Sequence, residues 1–222
     1  MKIQAVFWDY DNTILATAEA HWRKHHTILA KHGIQLSETF RTRIYENNGS
    51  QNWQWLNEEL GLKVPESEYL TSIDAEFQQH MLGFAMRPGV ARSIDAIREN
   101  GIPQAIVTNA RRDSAKPVMD VKQITPLMHF VLFKEDYEGR KPEPAPYLRA
   151  FERMGSILKE KIDPKSCLVI EDDPKGVESA HRAGATVIHR KLSEQDADSP
   201  HADYCCFHED DFIRIVMQLL RV

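Results

Sequence analysis

The chain has 222 residues, of which 42% are hydrophobic and 27% charged, and its formal net charge is −5. This length is sufficient for one large hydrophobic core, or for a core domain with a smaller insertion. The acidic balance argues against a nucleic-acid partner, and the lack of a long apolar run argues against a membrane span.

The chain opens with an apolar run from Ile3 to Trp8, which predicts a buried strand. A strand that begins at residue 3 leaves no room for a signal peptide. Asp9 and Asp11 follow this run directly. An unpaired buried carboxylate is costly, so the two are expected to be exposed, neutralised by a cation, or used in chemistry.

The block that follows, residues 15–86, has apolar residues at helical spacing and no convincing strand. One of its apolar stripes predicts a helix that Ser50 caps and Gly61 ends. We expect a small all-helical unit of about four helices.

His21 and His25 lie one helical turn apart in this block, a spacing that zinc sites also use. A zinc site needs further ligands, so a solvated helix face is the preferred interpretation of the two histidines.

From Arg87 onward, short apolar segments alternate with helical ones, which predicts a parallel sheet covered on both faces. The predicted strands are residues 102–109, 129–133, 166–170, 185–189 and 203–207.

Cys167, Cys205 and Cys206 form neither a disulfide framework nor a CxxC metal site, in keeping with a cytoplasmic protein.

Polar residues follow several of these strands, and ligands of parallel sheets bind at the carboxyl ends of the strands. Thr108 and Asn109 end the second predicted strand, Glu171 and Asp172 follow the fourth, and Lys141 lies in the loop GRKPEPAP. Carboxylates near one lysine suggest a hard divalent cation such as Mg²⁺. Beside such a cation an aspartate can attack a phosphoryl group and form an aspartyl-phosphate.

Four segments in this order resemble the motifs of the haloacid dehalogenase-like (HAD) superfamily: FWDYDNT, IVTN, GRKPEP and VIEDDPKGVESAHRAGA. The resemblance covers nearly the whole chain and is strongest to the phosphatase and β-phosphoglucomutase-like subfamily with a type 1 helical cap. It implies a Rossmann-like parallel-sheet α/β core, formed by residues 1–14 and 87–222, with an inserted all-helical cap domain at residues 15–86.

The resemblance also implies a role for each motif residue. Asp9 would be the nucleophile and Asp11 the general acid and base. Asp173 takes the place of a common serine before Pro174, so a helix N-cap is preferred over a third metal contact. The implied site comprises Asp9 and Asp11 for catalysis, Thr108, Asn109 and Lys141 for phosphate, and Asp9, Asp11, Asp172 and Glu171 for the metal.

The predicted function is that of a Mg²⁺-dependent phosphatase of small phosphomonoesters: phosphoglycolate, a sugar phosphate or a nucleotide-like compound. The partner is then a small phosphorylated metabolite, and a monomer is the default. A phosphomutase of the β-phosphoglucomutase type is the enzymatic alternative. Hydrolysis is preferred because Thr108 and Asn109 resemble the second motif of the phosphoglycolate phosphatase group more than that of the mutase. A non-catalytic phosphate-binding regulatory module is the alternative of another class. Candidate specificity residues in the cap are Glu19, Asn48 and Ser50.

Overall fold

The chain, analysed as a computed structural model that describes residues 2–220, folds into two compact units. Within the described residues, the α/β unit comprises residues 2–16, Ala85–Arg112 and residues 123–220. The helical unit comprises Thr17–Phe84 and Asp113–Lys122.

Within the described residues, six parallel strands form one sheet in the α/β unit. They are β1 (Ala5–Trp8), β2 (Gln104–Val107), β3 (Phe130–Leu132), β4 (Cys167–Glu171), β5 (Thr186–Arg190) and β6 (Tyr204–Cys206). Their order is β3-β2-β1-β4-β5-β6, so the chain winds outward first on one side of β1 and then on the other. The winding reverses between β1 and β4, which is where sheets of this kind bind ligands.

Helices account for most of the remaining described residues. They are α1 (Ala18–Lys31), α2 (Arg41–Glu46), α3 (Gly49–Leu60), α4 (Glu66–Gln79), α5 (Val90–Glu99), α6 (Arg112–Val121), α7 (Ala145–Leu158), α8 (Pro174–Arg182) and α9 (Glu209–Leu220). Short 3₁₀ turns lie at Glu38–Phe40, Met81–Gly83, Thr125–Leu127, Lys134–Asp136 and Pro164–Ser166. No helix among residues 2–220 combines the length and the apolar character needed to cross a membrane.

Helices cover both faces of the sheet, which explains why its strands are almost continuously apolar. On one face Phe7 of β1 packs on Phe151 of α7, with ring centroids 5.1 Å apart. On the other face Trp8 meets the edge of Phe212 of α9 at 6.3 Å and donates a hydrogen bond of 2.9 Å to Gln104. The predicted fold class, a Rossmann-like parallel-sheet core with helical additions, is confirmed.

The helical unit has a hydrophobic core of its own, formed by residues of α1 to α4 and the turns between them. Asn48, not the predicted Ser50, is the N-cap of α3: its side chain accepts from the Gln51 amide at 2.9 Å in a capping box. Gly61 ends this helix as predicted, in the left-handed conformation with φ of 71°.

His25 lies in the core of the helical unit, and the interpretation of a solvated face is wrong for it. Its side chain is buried, and its Nδ1 lies 2.5 Å from the hydroxyl of Tyr69 of α4. His21, half-buried, stacks on Phe77 with ring centroids 4.6 Å apart.

The segment Asp113–Lys122 groups with the helical unit, whereas the predicted boundaries place it in the α/β core. Two hydrogen bonds attach its ends there: Gln78 donates to the Asp113 carbonyl at 2.8 Å, and Lys122 donates to the Leu82 carbonyl at 2.7 Å. The other unit boundaries lie two residues from the predicted ones, at Ala16 and Ala85. All three cysteines are free thiols.

Candidate active site at the carboxyl ends of the strands

Three buried carboxylates meet where the winding of the sheet reverses. Asp9 follows β1, Glu171 is the last residue of β4, and Asp172 comes next. The three offer oxygens that lie within 4.8 Å of one another, and each side chain is buried. The backbone fixes this arrangement, because the Asp9 amide continues the ladder by donating to the Ile170 carbonyl at 2.9 Å.

Lys141 lies among these carboxylates and is itself buried. Its ammonium donates to Oδ1 of Asp9 at 2.7 Å, to the Val107 carbonyl at 2.8 Å, and to Oε1 of Glu171. An ammonium has three donors, so the protein satisfies all of them. Lys141 balances one of three negative charges, which leaves a formal excess of two.

Glu171 is held by residues of two helices. The hydroxyl of Tyr147, in α7, donates to Oε1 of Glu171 at 2.7 Å. Gly176, in α8, leaves the space that the carboxylate fills, since a Cβ there would overlap both oxygens. Oε2 of Glu171 is buried and has no hydrogen-bond partner among residues 2–220.

Asp172 is fixed at its side chain and at its backbone. Thr13 donates to Oδ1 of Asp172 at 2.7 Å, and Nε2 of His189, in β5, lies 3.0 Å from its carbonyl oxygen. The next residue, Asp173, is the N-cap of α8: its side chain accepts from the Lys175 amide at 3.0 Å. The preference for a capping role at Asp173 is confirmed.

Asp11 lies in the turn after β1, half-buried and outside the group of three carboxylates. The amide of Ile14 closes this turn by donating to the Tyr10 carbonyl at 2.9 Å. Asn12 takes the left-handed conformation there, with φ of 59°. The resemblance would assign the backbone carbonyl of Asp11 to the metal and its carboxylate to acid and base catalysis.

Thr108 and Asn109 follow β2 and connect it to the loop of Lys141. The hydroxyl of Tyr137 donates to the Thr108 carbonyl at 2.5 Å, and its oxygen lies 3.1 Å from Oδ1 of Asn109. The same Oδ1 accepts from the Lys141 amide at 3.3 Å. The buried hydroxyl of Thr108 accepts from the Ala110 amide at 3.0 Å. Asn109 therefore fixes the backbone of the loop that contains Lys141.

The three candidate specificity residues belong to the helical unit and have local partners. Glu19 is exposed and pairs with Arg41 at 2.7 Å. Asn48 is the cap described above, and Ser50 is an exposed residue in the first turn of α3. The contacts of Glu19 and Asn48 are structural ones within their own unit.

Burial dominates the electrostatics of the site. Burial, followed by repulsion from Glu171, raises the pKa of Asp9 and of Asp172 well above the ordinary value. Burial opposes the charge of Lys141, but Asp9 and Glu171 outweigh it and raise the pKa of its ammonium well above the usual range. A divalent cation would neutralise the excess negative charge and keep the carboxylates ionised.

These residues fit a hard divalent cation. The donors are carboxylate oxygens, which Mg²⁺ prefers, and the unpartnered Oε2 of Glu171 is a further acceptor close to them. Asp9 and Asp172 would hold the cation, together with the backbone of Asp11.

The family described as haloacid dehalogenase-like hydrolase matches residues 6–189. The chain belongs to the haloacid dehalogenase-like hydrolase family. The match spans the stretch from β1 to β5 and therefore includes all four motifs of the site.

Similar proteins cover most of the chain. Protein CbbY of Rhodobacter capsulatus is 26% identical over 205 residues, 85% of this chain and 85% of CbbY. N-acetylmuramic acid 6-phosphate phosphatase of Pseudomonas aeruginosa is 28% identical over 186 residues, 83% of this chain and 80% of that protein. The crystal structure of CbbY from Rhodobacter sphaeroides in complex with phosphate shares the fold, with a TM-score of 0.81 at 19% identity over 96% of each chain.

These matches confirm the family and the enzyme class expected from the motifs, a phosphoric monoester hydrolase of the haloacid dehalogenase-like family. Sequence reasoning missed three residues that support the site: Thr13, Tyr147 and Gly176. Thr13 is the threonine of the first motif, and Gly176 lies within the fourth, so both were within the quoted segments. Tyr147 has the spacing of a buried helix residue and gave no other signal.

Proposed function

We propose that this protein is a Mg²⁺-dependent phosphatase of small phosphomonoesters that forms an aspartyl-phosphate on Asp9. The observation that supports this most directly is the buried ion pair of Lys141 with Asp9 and Glu171. It places a carboxylate with a defined orientation at the switch point of the sheet, next to a cation that can also attract a phosphoryl group.

Asp9 performs the first step. Lys141 fixes its Oδ1, and a carboxylate oxygen attacks phosphorus while the bond from phosphorus to the ester oxygen breaks. Asp11 gives its proton to the departing oxygen, so that the alcohol leaves neutral. A bound Mg²⁺ would neutralise charge on the phosphoryl oxygens.

Hydrolysis of the aspartyl-phosphate completes the cycle. Asp11, now ionised, takes a proton from water, and the water oxygen attacks phosphorus as the bond to Asp9 breaks. Inorganic phosphate and the free Asp9 carboxylate are the products. Thr108 and Lys141 are the proposed phosphate-binding side chains, with Asn109 fixing the loop between them.

The substrate is proposed at the level of a small phosphomonoester, and the helical unit is proposed as the cap domain of the family. The name of the Pseudomonas aeruginosa relative specifies a sugar phosphate, and the Rhodobacter sphaeroides structure contains phosphate. Both are compatible with a phosphorylated metabolite as the partner of this chain.

The decisive experiment measures phosphate release from a panel of phosphorylated metabolites and from p-nitrophenyl phosphate. We expect turnover with Mg²⁺, none in excess chelator, and none for Asp9→Asn. Undiminished turnover by the Asp9→Asn protein would exclude the nucleophilic role. Accumulation of glucose 6-phosphate from β-glucose 1-phosphate would instead indicate a mutase, and binding of phosphate without any turnover a regulatory module.

A further inference from the structure

Arg87, in the segment that precedes α5, makes an unusual set of contacts for an arginine outside the four motifs. Its Nη1 donates to the carbonyl of Asn12 at 2.7 Å and to that of Arg190 at 3.0 Å. Its Nη2 donates to the carbonyl of Lys191 at 2.8 Å. The guanidinium is buried and thus uses three backbone acceptors from two distant segments.

These two segments flank the strand that leads to the metal-binding carboxylates. Asn12 lies in the turn after β1, and Arg190 is the last residue of β5. Since β4 lies between β1 and β5, the guanidinium connects the two neighbours of the strand that ends in Glu171.

Arg87 contacts the turn after β1 from outside the turn. Asn12 has a left-handed backbone, which is unfavourable for residues with a side chain, although asparagine tolerates it best. Arg87 holds this turn twice, because its own amide donates to the Ile14 carbonyl at 2.9 Å. The turn contains Asp11, the proposed acid and base, and Thr13, which fixes Asp172.

We infer that Arg87 is a positioning residue of the active site, whose guanidinium holds the Asn12 carbonyl and so fixes the turn that contains Asp11 and Thr13. The inference rests on the proposed function for its effect on catalysis, but its structural part does not. Lysine cannot fully replace Arg87. The planar guanidinium donates from two separate nitrogens to three carbonyl oxygens, and a single ammonium nitrogen cannot reproduce that geometry.

The neighbouring buried arginine is a matched control. The side chain of Arg190 donates to the Pro88 carbonyl at 2.7 Å and lies over the ring of Phe212 at 4.2 Å. Its guanidinium has no hydrogen bond to the turn after β1 among the contacts of the described residues. Arg190→Met should therefore remove a buried guanidinium without releasing the turn.

The first test is hydrogen exchange of the full chain, comparing Arg87→Lys and Arg87→Met with Arg190→Met. The amides of Ile14 and Leu15 both donate to the Tyr10 carbonyl and report on the turn. We expect both Arg87 variants to increase their exchange by about tenfold, an effect comparable to the loss of a supporting hydrogen bond. In the Arg190→Met protein, the exchange of these two amides should change no more than its change in overall stability accounts for. Equal exchange in all three variants would overturn the inference.

The second test is the affinity for Mg²⁺, measured by calorimetry, together with kcat and KM for p-nitrophenyl phosphate. Loss of positioning weakens Mg²⁺ binding, by about tenfold for a group that supports metal ligands. Loss of a positive charge near the site would strengthen it instead. Weaker binding in both Arg87 variants supports positioning, whereas tighter binding in Arg87→Met with no change in Arg87→Lys would refute it.

The two tests separate the inference from the proposed function. A wild-type protein that neither binds Mg²⁺ nor releases phosphate would refute the function, while hydrogen exchange would still decide the role of Arg87. An active wild type with an unaffected turn in both Arg87 variants would refute the inference alone.

Discussion

The hydroxyl of Thr13 donates a hydrogen bond of 2.7 Å to Oδ1 of Asp172, although 159 residues separate the two along the chain. The bond joins the turn after β1 to the end of β4. It also opposes the effect of burial and of Glu171 on the pKa of Asp172, because a hydrogen bond to a carboxylate favours its charged form.

Replacing Thr13 by valine tests this bond, since valine keeps the volume and loses the hydroxyl. We expect Thr13→Val to weaken Mg²⁺ binding by about tenfold, as is usual when a group supporting a metal ligand is removed. Calorimetric titration of the protein with Mg²⁺ measures the effect. Thr13→Ser keeps the donor and should bind Mg²⁺ nearly as the wild type does, so equal losses in both variants would contradict the prediction.

The close approach of Gly176 to Glu171 leads to a second prediction. Alanine normally stabilises a helix by about 1 kcal/mol relative to glycine, but overpacking a buried site costs about 1–3 kcal/mol. Because the added Cβ would overlap the Glu171 carboxylate, we expect Gly176→Ala to destabilise the protein and to reduce turnover. Urea unfolding and a phosphatase assay measure the two effects.

Gly83 is the matched control for this substitution, because a Cβ there meets no atom within 4 Å. Gly83→Ala should leave both stability and turnover close to those of the wild type. A Gly176→Ala protein that is as stable and active as this control would show that Glu171 can move without consequence.

Asp173 should contribute to stability and not to the metal site. Its side chain caps α8, and loss of an N-cap costs about 1 kcal/mol. We expect Asp173→Ala to lower the free energy of unfolding by this amount with an unchanged affinity for Mg²⁺, whereas Asp173→Ser should retain the cap. A clear loss of Mg²⁺ affinity in the serine variant would revive the interpretation of Asp173 as a metal contact.

The stability of the helical unit should fall in acid because of His25. Burial, with the nearby Lys24 and His21, lowers the pKa of His25 well below 6.5 in the folded chain. Below its ordinary pKa, His25 binds a proton in the unfolded chain but not in the folded one. The folded state therefore keeps its full stability only at pH values above the pKa of His25 in the unfolded chain. It is lost as the pH falls below about 6.5, by at most about 1.4 kcal/mol for each pH unit.

Urea unfolding between pH 8 and pH 5 measures this dependence, followed by tryptophan fluorescence. Trp22, Trp53 and Trp55, three of the four tryptophans, lie in the helical unit. His25→Gln should flatten the acid side of the profile, and His181→Gln, a change at an exposed histidine, should not. Parallel profiles for His25→Gln and the wild type would assign the acid sensitivity to other groups.

Local sequence predicted the elements that depend on neighbours along the chain. Gly61 ends α3 and Asp173 caps α8 because each signal acts within one helical turn. The strands are recognisable because both of their faces are buried. The same local reasoning placed the N-cap of α3 two residues late, at Ser50 instead of Asn48, since several polar residues precede that helix and only the backbone selects one.

By itself the sequence determined which polar residues follow the strands of a parallel sheet, and hence that Asp9, Lys141 and Asp172 belong to one rim. Tertiary structure alone decided which of them touch. The ion pair of Lys141 with Asp9 and Glu171 and the turn held by Arg87 depend on strand order across the sheet. His25 is buried because Tyr69, from another helix, packs on it. Such contacts join residues far apart in the chain, and hydrophobic periodicity contains no information about which distant partner a face will meet.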